Sequence, residues 1–352
     1  MIMNAHNLAK RTSKYLVPLF ILLALFIILA ASLGSANLSL KETAIIIAKY
    51  IPGVNYFIDW RSINPQSAKI ITQIRLPRIF LSIFVGIGLA SAGVIFQGIF
   101  RNPMADPFII GVSSGASLGA TIGLLIVSGV RFLNLSAASI FAFGGAIAVT
   151  FLVYNISRIK SKISVVTLLL SGVAISALIS SINSFILIFR TSDLAKVIFW
   201  LMGGFTSATW LQFFTIAPVI LVLLIVSSFF MKDLNLISLS DERASQLGVE
   251  TEKVKKILLV LASLIAAAAV SVSGIIGFVG LITPHIMRLI VGPDHKVLYP
   301  TSAIAGGIVL LFSDTIARTI LSPREIPVGI VTSIIGVPFF IYLLLRSKRE
   351  IF

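Results

Sequence analysis

The stretch MKDLNLISLSDERASQLGVETEKVKK, residues 231–256, lies between two apolar runs that are each long enough to cross a bilayer. It holds Lys232, Asp233, Asp241, Glu242, Arg243, Glu250, Glu252, Lys253, Lys255 and Lys256, five charges of each sign. A plain hairpin between two membrane helices needs only a few polar residues, so a charged island of this size asks for a reason. Its local signals describe a small folded object. Ser240 is placed to cap a helix whose first turn holds Asp241 and Glu242, complementing the dipole. Gly248 supplies a stop, and Thr251 with Glu252 starts a second helix that runs into the next apolar segment. A helix of about seven residues is marginal alone in water, because nucleation costs more than so few hydrogen bonds return. It therefore predicts a surface to pack on, most naturally a partner protein. The plainer reading is a solvated loop with helical tendencies.

Composition sets the class. Of 352 residues, 57% are hydrophobic and only 12% charged, and the mean hydropathy is +1.06. These values indicate an all-α integral membrane protein. Cysteine is absent, which excludes disulfides and thiolate metal sites. The formal charge of +15 does not point to nucleic acid, because the basic residues cluster at the ends of apolar segments, where they anchor to headgroups and set topology.

Working outward, Lys10, Arg11 and Lys14 precede an apolar run from Tyr15 to Ala31. It is longer than a signal-peptide core and has no convincing cleavage site after it, so it reads as a first transmembrane helix. A polar stretch containing Trp60 follows. The run 79–100 places Gly86, Ala90 and Gly93 on one face, and Gly111, Gly115, Gly119 and Gly123 recur every fourth residue after a tight turn at 101–107. Such stripes let backbones approach closely within a membrane bundle. Further spans are expected near 137–154, 165–189, 210–230, 257–273, 277–291, 301–320 and 327–345, about ten in all. Between 191 and 205, Asp193, Lys196 and Trp200 suggest a short interfacial helix. With ten spans both termini share the island's side. That side carries the larger part of the Lys and Arg, so it is expected to be cytoplasmic.

Catalytic groupings are missing. No Walker A loop is present, and His6, His285 and His295 form no metal-binding pattern. Asp314 lies four residues before Arg318, so the two can pair on one helix face. That leaves no unpaired acid at mid-membrane, which favours a partner-driven transporter over an ion-coupled carrier or a membrane enzyme. In the run 274–295, Gly277 and Gly280 read as close-packing positions. Pro284 reads as interrupting a helix, and His285 and Arg288 as groups facing headgroups or a partner.

Four blocks carry a resemblance: IRLPR (74–78), FRNPMADPFIIGVSSGAS (100–117), GFVGLITPHIMRLIVGPDH (277–295) and REIPVGIVTSIIGVPFF (324–340). In kind and order they closely resemble the permease family of ABC importers for iron(III)-siderophores, haem and vitamin B12. The resemblance implies a type II importer permease, a single transmembrane domain over 1–352 with a coupling segment at 232–256. It further implies a multi-pass protein of a prokaryote's cytoplasmic (inner) membrane, assembled as a homodimer or a heterodimer of paralogous permeases around a central path. Two separate ATPase subunits binding ATP and magnesium would sit on the cytoplasmic face, and a substrate-binding protein would dock outside. The chain itself would bind no cofactor. Ser240, Asp241, Glu242, Arg243, Ala244, Gln246, Leu247 and Gly248 match the family's coupling helix, and Arg75, Arg78 and Arg318 match outer arginines that meet glutamates of the binding protein. Asn102 and Met104 match residues near the cytoplasmic gate, with Thr167 as the nearest hydroxyl on a path-lining helix. The implied cargo is an iron(III)-siderophore or related metal chelate, with cobalamin and haem as alternatives.

Overall fold

The computed structural model describes residues 5–34, 36, 38–49, 63–127, 131–132, 135–159, 162–163, 165–189 and 193–349. Trp60 and Thr191 lie outside them, as does the side chain of His6. Helices dominate the described residues. Seven are long and apolar enough to cross a membrane, and three shorter apolar ones accompany them. About ten crossings were expected; among the described residues seven helices have the length for one, and Val112–Leu125, Val279–Val291 and Val328–Tyr342 are shorter. The chain is a multi-pass membrane protein.

In chain order these are α1 (Ala5–Ser32), α2 (Leu40–Lys49), α3 (Pro65–Lys69), α4 (Leu76–Phe100), α5 (Val112–Leu125), α6 (Ala137–Ser157), α7 (Val165–Ile188), α8 (Leu194–Leu201), α9 (Trp210–Ser228), α10 (Met231–Leu239), α11 (Asp241–Gln246), α12 (Thr251–Ser273), α13 (Val279–Val291), α14 (His295–Thr319) and α15 (Val328–Arg349). Two-residue antiparallel strands pair at 131–132 with 135–136 and at 158–159 with 162–163. α4, α12 and α14 form the centre and are buried along most of their length. α1 and α9 present exposed apolar side chains such as Phe20, Leu25, Phe214 and Val222, as a lipid-facing layer does. The short helix expected between 191 and 205 is α8.

What brings these helices together is the lack of side chains at chosen points. In lipid there is little hydrophobic gain from association, so backbones must approach closely for van der Waals contact. A methyl group added at Gly93 would lie 1.8 Å from the Gly280 carbonyl, which docks α4 on α13. On Gly119 it would lie 1.9 Å from the carbonyl of Phe141, and on Gly115 2.3 Å from that of Gly145, so the glycine stripe of α5 seats on α6. Gly277 has nothing within 4 Å and plays no such part, contrary to the sequence reading.

Among the prolines of the described helices, Pro77 and Pro284 free carbonyls that side chains of other helices meet. A π-helical turn, Ile70–Arg75, joins α3 to α4, and the Leu76 amide bonds to the Ile71 carbonyl. The next donor in that register would be Pro77, which has no N–H. The Thr72 carbonyl instead accepts from the Trp210 indole at 2.7 Å. Pro284, expected to interrupt its helix, lies inside α13. Its missing N–H leaves the Gly280 carbonyl without a helical donor. There the side-chain amide of Gln97 donates to the Leu281 carbonyl at 3.0 Å and reaches Gly280 at 3.5 Å.

The glycine seating predicts a contrast between two alanine substitutions. Gly144 on α6 has nothing within 4 Å, so Gly144→Ala should be neutral or stabilising by about 1 kcal/mol. Gly119→Ala should cost about 3 kcal/mol by forcing α5 off α6. Thermal unfolding in detergent separates the two, and equal melting temperatures would sink the seating.

Candidate functional site

Chemistry-bearing residues gather at the two ends of α4. At its C-terminal end lies the charged island, folded as two short helices. Ser240 caps α11 by accepting from the Arg243 amide at 3.0 Å, and Gly248 ends the turn at φ +84°. Ala244 is fully buried and seats the helix. Glu242, Arg243, Gln246 and Gly248 face outward, and Leu247 is 66% exposed, an apolar side chain held up on a polar surface.

Asp241 joins three segments. It pairs with Arg101, the residue that ends α4 in the left-handed region at φ +49°, and it accepts from Lys255 Nζ on α12 at 2.6 Å. Arg101 also donates through Nε to the Ile237 carbonyl on α10 at 2.8 Å. Partial burial works against the charge on Asp241. The hydrogen bond and charge of Lys255, then Arg101, nonetheless hold its carboxyl below the usual carboxylate range. A lowered carboxylate pKa stabilises the fold above the ordinary value, and that contribution is lost as pH falls through the lowered one. With Asp241 side-chain exposure at 41%, solvent screening keeps the exposed part of this network modest.

Beyond Arg101 the chain turns back. Asn102 is exposed and its Oδ1 accepts from the Met104 amide at 2.9 Å, which shapes the turn, and Met104 is half-buried. Asp106 accepts from the Phe108 amide at 2.8 Å and opens a single 3₁₀ turn, Pro107–Ile110. It makes no ion pair among the described residues and lies against Gly280, beside Leu89 of α4. The sequence reading passed over this acid because it sits in a turn. Thr167 is half-buried in the first turn of α7, five residues before Gly172, which abuts the Ile109 carbonyl. α7 exposes Ser180, Ser181 and Ser184 among apolar residues such as Val173 and Phe185.

At the opposite end of α4 stand Arg75, Arg78 and Arg318, each with partners inside the fold. All three are less than 9% exposed. Arg75 donates to the carbonyls of Ala31 at 2.5 Å, Ser32 at 2.8 Å and Ala36 at 2.6 Å. Arg318 donates to Leu33 at 2.7 Å and to Ala30. The two guanidinium groups thus cap the C-terminus of α1, where carbonyls lack helical donors and the dipole favours cations. Arg78 grips the fully buried Asp314 through two nitrogens at 2.9–3.1 Å and Glu325 at 2.8 Å. Asp314 therefore takes its hydrogen bonds from Arg78, and Arg318, its expected helix partner, pairs with it more loosely at 3.8 Å. Arg78 and Glu325 also line a cavity of about 310 Å³ at this end, with Lys196 and Gln212 on its wall.

Comparison with known proteins places this geometry. The FecCD transport family matches residues 21–346. The cobalamin import system permease protein BtuC of Halobacterium salinarum is 44% identical over 82% of this chain and 76% of its own length. The hemin transport system permease protein HmuU of Yersinia pestis is 38% identical over 94% of this chain and 95% of its own. The Fe(3+)-citrate import system permease protein YfmE of Bacillus subtilis is 37% identical over 97% and 99%. A solved inward-facing conformation of a metal-chelate type ABC transporter superposes with a TM-score of 0.81, at 32% identity, over 95% of this chain and 99% of that one. The match through nearly the whole length, at the motifs that build both ends of α4, means that the chain belongs to the FecCD transport family.

Proposed function

We propose that this membrane protein is the translocation subunit of an ATP-driven importer that carries an iron(III) chelate, most specifically an iron(III)-siderophore, across the cytoplasmic membrane. The observation that carries the reading is the tie between the island and the turn after α4. A helix too short to stand alone is held by Asp241 to Arg101, the residue next to Asn102. A force applied to α11 by a partner has a direct covalent and ionic route to that turn. Two ATPase subunits on the island side supply the force in this reading. Leu247 with Glu242 and Arg243 form the surface they grip, and Asn102, Met104 and Thr167 form the gate that responds. The exposed serines of α7 suit a path between two copies of this chain or a paralogue.

On the opposite side, a substrate-binding protein docks by charge. Arg75, Arg78 and Arg318 are all engaged inside the fold, so the charge left exposed for docking at this end is Arg324, next to the Glu325 that Arg78 holds. Such pairs steer and orient docking more than they add affinity. Relatives named for cobalamin, hemin and Fe(3+)-citrate import are 37–44% identical to this chain, which supports a path of low selectivity with cargo selected first by the binding protein.

Four outcomes test the reading. Changing Asp241, Glu242 and Arg243 together to alanine should abolish uptake in proteoliposomes while the chain stays monodisperse, and normal uptake would remove the coupling role. Arg324→Glu should weaken binding-protein docking about ten-fold, the loss of roughly 1.4 kcal/mol, without moving the melting temperature. Arg75→Gln and Arg318→Gln should instead lower that temperature, and a docking defect with unchanged stability would return them to the interface. Titration of the captured binding protein with a ferric siderophore, cobalamin and haem decides the cargo.

A further inference from the structure

The island end holds a cavity that the transport reading touches only at Arg101 and Asn102. Its volume is about 360 Å³, and it lies between the C-terminus of α4, the turn at 101–103, the second half of α13 and the start of α14. Arg101, Arg288, His285, His295, Asn102 and Gln97 stand in its wall, and no carboxylate is among its lining residues. The acids of the adjoining segments are already engaged. Asp241 is held by Arg101 and Lys255, and Asp294 accepts from Asn235 at 2.7 Å and from the Lys296 amide at 3.0 Å.

Arg288 is the anomaly. It is half-buried, and among the described residues it makes no hydrogen bond or ion pair. A cation drawn out of water without a partner is costly, and a guanidinium presents five donors in a planar fork suited to an oxyanion. His295 supplies the second anomaly. It is 4% exposed, and its Nδ1 faces the Oδ1 of Asn235 at 2.7 Å, an oxygen that also accepts the His295 amide. Nδ1 therefore carries the ring proton, which leaves Nε2 as an acceptor, and Nε2 is buried with no donor. Arg288 thus lacks an anion and Nε2 lacks a donor, since the Ser238 hydroxyl in the wall is given to the Leu234 carbonyl at 2.7 Å.

We infer that this cavity is an oxyanion site for a phosphate group that bears a proton or neighbouring hydroxyl, either free phosphate or the headgroup of an anionic lipid. Its oxygens take the fork of Arg288 and the side-chain amide of Asn102, which keeps its N–H groups free because Oδ1 serves the turn. Occupied, the site braces α13 against the turn that Arg101 fastens to the island. The inference uses only the cavity and its wall, so it stands independently of the transport reading.

The test uses the full chain in neutral detergent, with chloride adjusted to constant ionic strength. Inorganic phosphate should raise the melting temperature saturably. The half-saturating concentration should rise about ten-fold in Arg288→Gln and stay unchanged in Lys69→Gln at the opposite end. If Arg288→Gln does not purify, Arg288→Lys keeps the charge without the fork and should show a weaker form of the same loss. Should phosphate have no effect, nanodiscs of phosphatidylcholine with and without phosphatidic acid repeat the comparison, and an Arg288-dependent rise there assigns the headgroup. A rise that never saturates, or that persists in Arg288→Gln, is a general salt effect and overturns the site. No rise in either setting, with Arg288→Gln weakening capture of the ATPase subunit instead, makes the cavity a protein contact and also overturns it.

Discussion

The close approach of α4 to its neighbours is the constraint on which the rest depends. Gly93 sits on the Gly280 carbonyl, and Gly86 sits on that of Gly306 with a built methyl group only 2.3 Å away. These contacts lock a helix of 25 residues, about 37 Å long at 1.5 Å per residue, into the centre of the bundle. Its position then decides what stands at either end. The first turn holds Arg78 within reach of Asp314, and the last residue hands over to Arg101 within reach of Asp241. A looser α4 would leave Asp314, which has no exposure to solvent, as an uncompensated buried charge.

The two ends use charge differently. At the arginine end the groups are buried, and their partners are an acid, helix-terminal carbonyls and Glu325. Removing one partner there strands another, so this end behaves as a clasp that closes α1, α4 and α14 together. At the island end the network around Asp241 is partly solvated, with side-chain exposures of 37% for Arg101 and 13% for Lys255. Such contacts contribute little individually to stability and can break and re-form at modest cost. A clasp at one end and a releasable tie at the other suit a helix that stays fixed while its island end responds to a partner.

Much of this was legible in the sequence where the controlling interaction is local. The Ser240 cap, the Gly248 stop, the glycine stripe of α5 and the short α8 all follow from spacing along one helix or one turn. What spacing does not reveal is a partner that is remote. Helical spacing gives the ion pair of Asp314 with Arg318, which stands at 3.8 Å, but not Arg78, 236 residues away, which supplies its hydrogen bonds. Pro284 looked like a helix break because nothing nearby in sequence supplies the hydrogen bond it withholds, and the compensating donor is Gln97 on α4. The hydrogen bonds of Arg75 and Arg318 are not visible in the sequence because the carbonyls that occupy them belong to the end of α1. Asp106 was passed over because turn position said nothing of the depth at which that turn is folded back against Gly280.

The same logic explains why proline is tolerated near both ends of this bundle. Each proline removes one donor from a helix surrounded by lipid and protein, where water cannot replace it. At Pro77 and Pro284 the donors that meet those carbonyls are Trp210 from α9 and Gln97 from α4, each fixed by the packing that brings it there. The irregular segments are therefore cross-links between helices rather than flaws within them. Pro77 ties α4 to α9 beside the arginine clasp, and Pro284 ties α13 to α4 above the island. A residue that weakens one helix in isolation becomes, through the donor it leaves wanting, a specification of which helix must lie beside it.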